Sequence, residues 1–494
     1  MEDLRRFYKS KSFLLLSLGI YALVVFVTIF RHEPWRDEAQ VWLLCSDLSL
    51  IGLFHELPYN GHPFLWYILV FPLAKAGLPY VSMGILHGIL AVVTAWIFLK
   101  KAPFPLYFRI LFIFSYFMLY EYAAVARNYI LSAMLLFLLA DLFAEKHHKP
   151  LLFGLLVALL CNTNTHSFFA AAAMGALFLN SLLRSDSKTR SSPTQWAAIV
   201  LMLLGAVIAY LSIRVQPDGW EPWLSNPYSW NEPLDAIGNA FLPTCLTNPA
   251  MTLYFKHWSE NAFFLVFLIV ILYAIRSSKE AVFFFVVATS GLLYILVFKY
   301  SGYLRHYGLI LMFLMTALWI YEKERSNPMV VEKHKGNAPL GSFVHGFLSL
   351  SLFLSMLLGV YYVVKDIRFP FSGAREMGEY IKEKQLSDKI TAAYNVHTIT
   401  AILPYLPGVS FWDPGLQRHF RFIHWDKDYL PSRQLPEQEF MKRALSHSGN
   451  HNTFYILLAK PLSDPQFYGL LLDYKVDSEK ITGDEKYYLY KRIP

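Results

Sequence analysis

The sequence predicts an α-helical polytopic membrane protein with about eleven transmembrane helices, followed by a C-terminal extracytoplasmic α/β domain. Hydrophobic residues make up 55% of the 494 residues and charged residues only 16%, which is more apolar than a soluble domain. Windows of nearly uncharged residues recur along most of the chain, and each is long enough to cross a hydrocarbon core of about 30 Å as a helix. After residue 363 this composition is lost.

The predicted spans are apolar stretches separated by short charged loops. They cover roughly residues 13–30, 80–99, 105–121, 127–143, 150–165, 168–183, 195–213, 262–275, 281–298, 308–321 and 342–363. The first follows a basic start but no small-residue cleavage site, which favours a retained anchor over a cleaved signal peptide.

The basic residues predict the orientation of these spans. With the N-terminus in the cytoplasm, the cytoplasmic segments contain 17 Lys and Arg residues, against 8 in the outer connections up to residue 308. This asymmetry follows the positive-inside rule. The sequence therefore predicts a transmembrane domain of residues 1–363, whose loops 31–79 and 214–261 lie on the outer face. The second domain, residues 364–494, is predicted to lie outside as well.

The loop 31–79 contains two helical segments. From Asp37 onwards, Val41, Leu44, Cys45 and Leu48 form an amphipathic stripe, which predicts one helix lying along the membrane surface. The apolar segment 63–76 is too short to cross, so we expect an interfacial or re-entrant helix. The domain 364–494 begins with a predicted helix, "GAREMGEYIKEKQ", and continues with predicted strands at "KITAAYNV", "TFYILLAK" and "YYLYKRI".

Composition also argues against several other classes of protein. The net charge of +8 is spread over short loops, which does not indicate nucleic-acid binding. Three cysteines are too few for a disulfide framework, although a bridge between Cys45 and Cys245 stays open because both are predicted on the outer side.

The ionisable residues point to chemistry at the outer membrane face. The middles of the spans hold few of them, and a group from different loops collects at the predicted outer ends. His87, in the middle of a span, is expected to be a hydrogen-bonded core residue. A substrate with its tail in lipid and its head in water would meet these ends. The candidates for binding its polar head are His62, Glu121, Arg127, Tyr129, His166, Lys299, Arg305 and His306.

Two acidic residues are the candidates for catalysis. A phosphate needs fixed cations, which Arg127 and the group Lys299, Arg305 and His306 would supply. An acceptor hydroxyl needs a base, and a carboxylate is the simplest one. Asp37 is the first candidate for this base. Asp37 and Glu38 together would alternatively bind a divalent cation such as Mg²⁺ or Mn²⁺. A third interpretation is that both acids only favour the first turn of a helix.

The pattern as a whole resembles the GT-C superfamily of membrane glycosyltransferases, in the bacterial branch of protein O-mannosyltransferases and lipid A aminoarabinose transferases. The resemblance rests on "RDEAQ" in the first outer loop, the amphipathic helix, "GHPFLWYIL", the Arg127-Asn128-Tyr129 sequence and the C-terminal domain. It covers residues 10 to about 320. It implies that Asp37 is the catalytic base or a metal-bound carboxylate, with Glu38 as its neighbour, and that Glu121 does not match a family motif.

The resemblance also implies a function. The expected reaction transfers a monosaccharide from a polyprenyl-phosphate donor, with inversion, to a lipid, glycan or protein acceptor at the outer face of a bacterial cytoplasmic membrane. No cofactor is implied with certainty, and a divalent cation remains the alternative. A transporter or flippase of a lipid-linked sugar would share the cationic groups without needing a base, and a scaffold whose C-terminal domain binds a partner is a further alternative.

Overall fold

The computed structural model describes residues 11–220, 232–243, 258–300, 302–325, 338–449, 453–477 and 480–492. The predicted span region forms a helix bundle, and the C-terminal segment forms a small α/β domain. About half of the predicted outer loop 214–261 lies outside the described residues, as does Cys245, so the Cys45–Cys245 bridge stays a prediction. Within the described part, Cys45 and Cys161 are buried free thiols.

The bundle and its loops contain sixteen helices in the described ranges. They are α1 Lys11–Arg31, α2 Arg36–Asp47, α3 Leu50–Asn60, α4 Leu65–Lys75, α5 Val81–Lys101, α6 Leu106–Ile113, α7 Tyr129–Leu142, α8 Pro150–Cys161, α9 Phe168–Leu183, α10 Ser187–Arg190, α11 Pro193–Ile213, α12 Glu232–Phe241, α13 Trp258–Ala274, α14 Lys279–Phe298, α15 Leu304–Arg325 and α16 Ala338–Arg368.

Seven helices in the described part of the chain are long and apolar enough to cross a membrane: α1, α5, α9 with its preceding turn, α11, α14, α15 and α16. The other four predicted spans correspond to the shorter helices α6, α7, α8 and α13. The predicted span 105–121 is interrupted, because α6 ends at Ile113 and a π-helical turn follows at Phe117–Glu121. The chain thus has the architecture of an integral membrane protein.

The centre of the bundle is α15, whose residues from His306 to Tyr321 are all buried. It packs against α7, α12 and α14, while α1 packs on α5 and α5 on α7. At the edge, α8 and α11 approach closely because Gly154 and Gly205 have no side chain; a Cβ at Gly205 would lie 2.5 Å from the Cα of Ala158. Small residues at such contacts are typical of helices packed in a membrane.

The loop after α1 differs from the prediction of one surface helix. It forms two helices, because Ser49 accepts a hydrogen bond from the Gly52 N–H (3.1 Å) and starts α3. The stripe on α2 packs onto α4, where Trp66 is buried, and the opposite face, with Ala39 and Leu43, packs into the C-terminal domain. Helix α2 is therefore enclosed on both sides, because the C-terminal domain covers the face that was expected to meet water.

The C-terminal domain contains a four-stranded sheet in the order β1-β4-β6-β5 and a separate β2-β3 hairpin. Its elements are α17 Ala374–Glu383, β1 Ile390–Tyr394, α18 Val396–Ile399, β2 Phe411–Asp413, β3 Arg418–Phe420, α19 Tyr429–Ser432, α20 Glu437–Ser448, β4 Tyr455–Leu458, β5 Leu470–Val476 and β6 Tyr487–Arg492. Strands β1 and β4 are parallel, and β6 is antiparallel to both β4 and β5. The turn after β1 brings α18 against α2, which places this domain over the site described next.

Candidate active site

The candidate active site is centred on Asp37, in the first turn of α2. The Asp37 Oδ2 contacts the guanidinium of Arg127, and it lies 3.4 Å from the Nη2 of Arg305. The carboxylate side chain is 24% exposed, whereas the side chains of Arg127 and Arg305 are only 9% and 14% exposed. An acid and two cations, separated by up to 268 positions in the chain, thus meet where α2, α7 and α15 begin.

Each arginine is held by its surroundings. Arg127 lies in the irregular segment between the π-helical turn and α7, and its carbonyl is 2.9 Å from the Nε2 of buried His87. The carbonyl of Arg305 accepts a 2.6 Å hydrogen bond from the hydroxyl of Tyr122. The Arg305 guanidinium also lies 5.6 Å from the ring of Trp35. His87 is therefore the hydrogen-bonded core residue that the sequence predicts.

The charges around Asp37 determine its protonation. Burial alone would raise the pKa of Asp37, but Arg127, Arg305 and Arg36 outweigh burial and hold it well below its usual range. His62, half-buried nearby, has its pKa lowered to about 3, first by burial and then by Arg127. At neutral pH the site therefore combines an ionised carboxylate with a neutral imidazole.

Two further histidines lie beside Arg305. His166 and His306 are stacked with ring centroids 4.3 Å apart, and Tyr129 meets His306 edge-on at 5.8 Å. The Nδ1 of His306 accepts a hydrogen bond from the Tyr303 N–H (2.9 Å), which leaves the proton of the neutral ring on Nε2. The buried Nε2 of His166 has no hydrogen-bond partner in the described part of the chain. This nitrogen is therefore available to hydrogen-bond a ligand.

Glu38 has a different environment from Asp37. Its Oε1 accepts from the Ala126 N–H (2.7 Å), and its Oε2 accepts from the Trp35 N–H (3.2 Å) and lies 3.1 Å from the Nε2 of His32. Only 1% of its side chain is exposed. Glu38 thus fixes the start of α2 and the segment that carries Arg127, and the contacts of the two neighbouring acids indicate separate roles.

His32 and Asp366 were not identified from the sequence. His32 Nδ1 lies 2.7 Å from the Asp366 Oδ2 near the end of α16, and the hydroxyl of Tyr120 donates to the same oxygen at 3.1 Å. Both side chains of the His32–Asp366 pair are almost fully buried. The two residues are 334 positions apart, and the only sequence signal was one acid near the end of a long apolar helix.

The remaining candidates are Glu121 and Lys299, and Glu121 is close enough to Arg305 and Arg127 to interact with their charges. Glu121 accepts a 2.6 Å hydrogen bond from the Tyr116 hydroxyl. Lys299 is exposed at the C-terminal end of α14. The C-terminal domain contributes Glu485, whose carboxylate accepts from the backbone N–H of Arg36 (3.0 Å), so this domain is directly linked to the residue before Asp37.

The donor set around Asp37 does not fit the alternative of a divalent cation. Its Oδ2 faces two guanidinium groups, whose positive charges oppose a metal ion, and Glu38 is engaged elsewhere. Within the described ranges there is no group of three or more His, Cys, Asp or Glu residues arranged to hold a metal.

Comparison with known proteins relates the chain to solved structures alone. No family model matches the sequence, and no curated protein matches it. The structure of ArnT from Cupriavidus metallidurans bound to undecaprenyl phosphate matches with a TM-score of 0.52 at 11% identity and covers 98% of both chains. ArnT from the same organism in the apo state gives a TM-score of 0.48 at 12% identity, with 97% of this chain and 98% of that chain covered.

The match to the undecaprenyl phosphate-bound structure extends over nearly the whole length of both chains. It includes the helix bundle and the C-terminal domain that covers its end. The chain therefore has the same overall fold as the structure of ArnT bound to undecaprenyl phosphate.

Proposed function

We propose that the protein transfers a monosaccharide from a polyprenyl-phosphate donor to an acceptor at the outer face of a membrane. The observation that carries this proposal is the partly exposed carboxylate of Asp37, held between Arg127 and Arg305 at one end of the bundle. The ArnT structure that shares this fold is bound to undecaprenyl phosphate, which is the type of lipid phosphate that we propose for this chain.

The two arginines are suited to the donor phosphate. Guanidinium groups bind phosphate oxygens through charge-assisted hydrogen bonds. The uncharged His62 and the stacked rings of His166 and His306 add further hydrogen-bonding nitrogens around the same place. Tyr129 belongs to this phosphate and sugar region through its contact with His306.

Asp37 is proposed as the general base. The acceptor oxygen attacks the anomeric carbon, the bond from that carbon to the phosphate oxygen breaks, and the phosphate keeps the electron pair. The proton of the acceptor hydroxyl passes to Asp37. The polyprenyl phosphate gains one negative charge in this step, and Arg127 and Arg305 stabilise that charge as it develops.

Donor binding would also prepare the base. In the structure the arginines hold the pKa of Asp37 below its usual range, which makes it a weak proton acceptor. A phosphate that engages the same guanidinium groups adds negative charge beside the carboxylate and reduces their effect on it. The proton affinity of Asp37 therefore rises when the donor is in place.

The test is turnover by the purified chain in nanodiscs. A panel of polyprenyl-phosphate monosaccharides with a labelled sugar is offered together with lipid, glycan and hydroxyl-peptide acceptors. We expect labelled product and release of polyprenyl phosphate from at least one donor. Movement of an intact donor across liposomes, without product on any acceptor, would instead show a transporter of a lipid-linked sugar.

A further inference from the structure

A hydrogen-bonded row of three side chains in the C-terminal domain has no role in the site described so far. The Nη1 of Arg433 donates to the Tyr429 hydroxyl oxygen at 3.0 Å, and this hydroxyl is 2.6 Å from the Nδ1 of His397. Since Arg433 supplies a donor to the oxygen, the Tyr429 proton points to Nδ1. The proton of the neutral His397 ring is then on Nε2.

This row lies near the first turn of α2, which carries Asp37. His397 lies on the short helix α18, which packs against α2. Asp37 and Arg36 are among the charges that act on the His397 ring, and Asp37 and Arg36 also act on Tyr429. The pKa of His397 is lowered to about 3, first by burial and then by Arg36 and Arg433, so its ring is a neutral donor at pH 7.

Aromatic rings surround the row. The ring of Trp425 lies 4.4 Å from Tyr429 and 5.9 Å from His397. Trp220 is stacked on Trp425 with centroids 5.3 Å apart, and its backbone N–H donates to the Trp425 carbonyl at 2.9 Å. Both tryptophans are half-buried, so part of each remains accessible beside the polar row.

Arg433 has unused hydrogen-bonding capacity in this place. Its Nε is buried and has no partner within the described ranges, although buried donors in proteins are nearly always satisfied. A free buried donor beside accessible aromatic faces is the combination with which proteins bind a polar, ring-shaped ligand.

We infer that His397, Tyr429 and Arg433, together with the Trp220–Trp425 stack, form the acceptor subsite, and that the acceptor is a carbohydrate. The aromatic faces suit the C–H face of a pyranose ring. The Arg433 and His397 N–H groups suit its hydroxyl oxygens. A hydroxyl of that ring would then approach Asp37 from the side opposite the bundle. This inference rests on the proposed transferase function and names its acceptor class.

The experiment measures transfer to soluble acceptors by the full chain in nanodiscs. The probes are p-nitrophenyl pyranosides of several hexoses, with serine- and threonine-containing peptides and glycerol phosphate for comparison. Arg433→Gln and His397→Gln are compared with Arg492→Gln, a matched change in the same domain at a residue that contacts the Tyr468 carbonyl. Thermal unfolding shows which variants are folded.

We expect both site variants to raise the KM for the pyranoside at least tenfold, while the KM for the donor changes less than twofold. The Arg492→Gln variant should change neither value by more than twofold. An unchanged pyranoside KM in both folded site variants overturns the inference. Transfer to a peptide or to glycerol phosphate, with none to any pyranoside, also overturns it.

A second readout separates this inference from the proposed function. Saturable quenching of tryptophan fluorescence by a pyranoside, absent in Arg433→Gln, would support the subsite even if the native chain turns over no donor. A native chain that transfers sugar to other acceptors but shows no quenching would support the proposed function and refute the carbohydrate subsite.

Discussion

Replacing His32 with alanine should destabilise the folded chain by about 3–5 kcal/mol, the usual cost of removing one partner from a buried ion pair. His32 contacts Asp366 at 2.7 Å and Glu38 at 3.1 Å, and these carboxylates are 0% and 1% exposed. The variant would leave both acids buried without their shared cation. Because Glu38 also holds the backbone before Arg127, the segments around the site would lose a common anchor.

The stability supplied by His32 should also depend on pH. Burial lowers the pKa of His32, but Asp366 and Glu38 outweigh burial and raise it to about 10, from 6.5 in an exposed histidine. Between pH 6.5 and 10 the folded chain therefore keeps a proton on His32 that the unfolded chain has released. The contribution of His32 is complete below pH 6.5 and is lost as pH rises through 10.

The assay is thermal unfolding in detergent at a fixed scan rate, from pH 6 to pH 10, with His55→Ala as the control because His55 is exposed on α3. We expect a clearly lower midpoint for His32→Ala at pH 6, and a difference that shrinks towards pH 10. Adding Asp366→Asn to His32→Ala should recover part of the loss, since one unpaired charge is removed. Equal midpoints for His32→Ala and His55→Ala at pH 6 would refute this reasoning.

Three further changes test other parts of the structure. Arg127→Gln removes the largest of the charges that lower the pKa of Asp37, so the KM for the donor should rise at least tenfold and the acid limb of the pH–rate profile should move to higher pH. Burial raises the pKa of Glu485 to about 7 from 4.5, so ionising it in the folded chain costs about 3 kcal/mol. The free energy of unfolding should therefore fall as the pH rises from 4.5 to 7. Unfolding measured against pH should show a smaller fall in Glu485→Gln. Gly205→Ala places a Cβ 2.5 Å from the backbone of α8 and should cost about 1–3 kcal/mol, whereas Gly19→Ala, with nothing within 4 Å of the new Cβ, should leave the thermal midpoint unchanged or higher.

The sequence predicted the membrane architecture because hydrocarbon thickness limits apolar segments directly. It also singled out Asp37, Arg127 and Arg305, because ionisable residues from distant loops collect at the predicted outer ends of spans. Their roles stay predictions. Their mutual contacts could not be predicted, because they depend on how three helices that are distant in sequence pack together. The predicted pairing of Asp37 with Glu38 used adjacency in sequence, whereas successive helical side chains point in different directions.

The C-terminal domain shows a second limit of sequence analysis. Its strands β1, β4 and β6 were expected, but nothing in the pattern indicated that α18 would pack against α2 and bring His397 towards the site. The enclosure of α2 had the same cause, since its face with Ala39 and Leu43 is covered by residues more than 300 positions later. Long-range contacts of this kind leave no local periodicity in the sequence.

The measurement that tests the central claim most directly is the rate of sugar transfer by Asp37→Asn. The matched control is Asp47→Asn, at the other end of the same helix, where the carboxylate pairs with Arg421 at 2.6 Å. Both variants are compared with the native chain at equal thermal stability and with undecaprenyl phosphate binding measured in parallel. The account predicts a loss of about 100-fold or more in kcat for Asp37→Asn, as expected for a general base, and less than twofold for Asp47→Asn. A folded Asp37→Asn variant that transfers sugar within threefold of the native rate would contradict it.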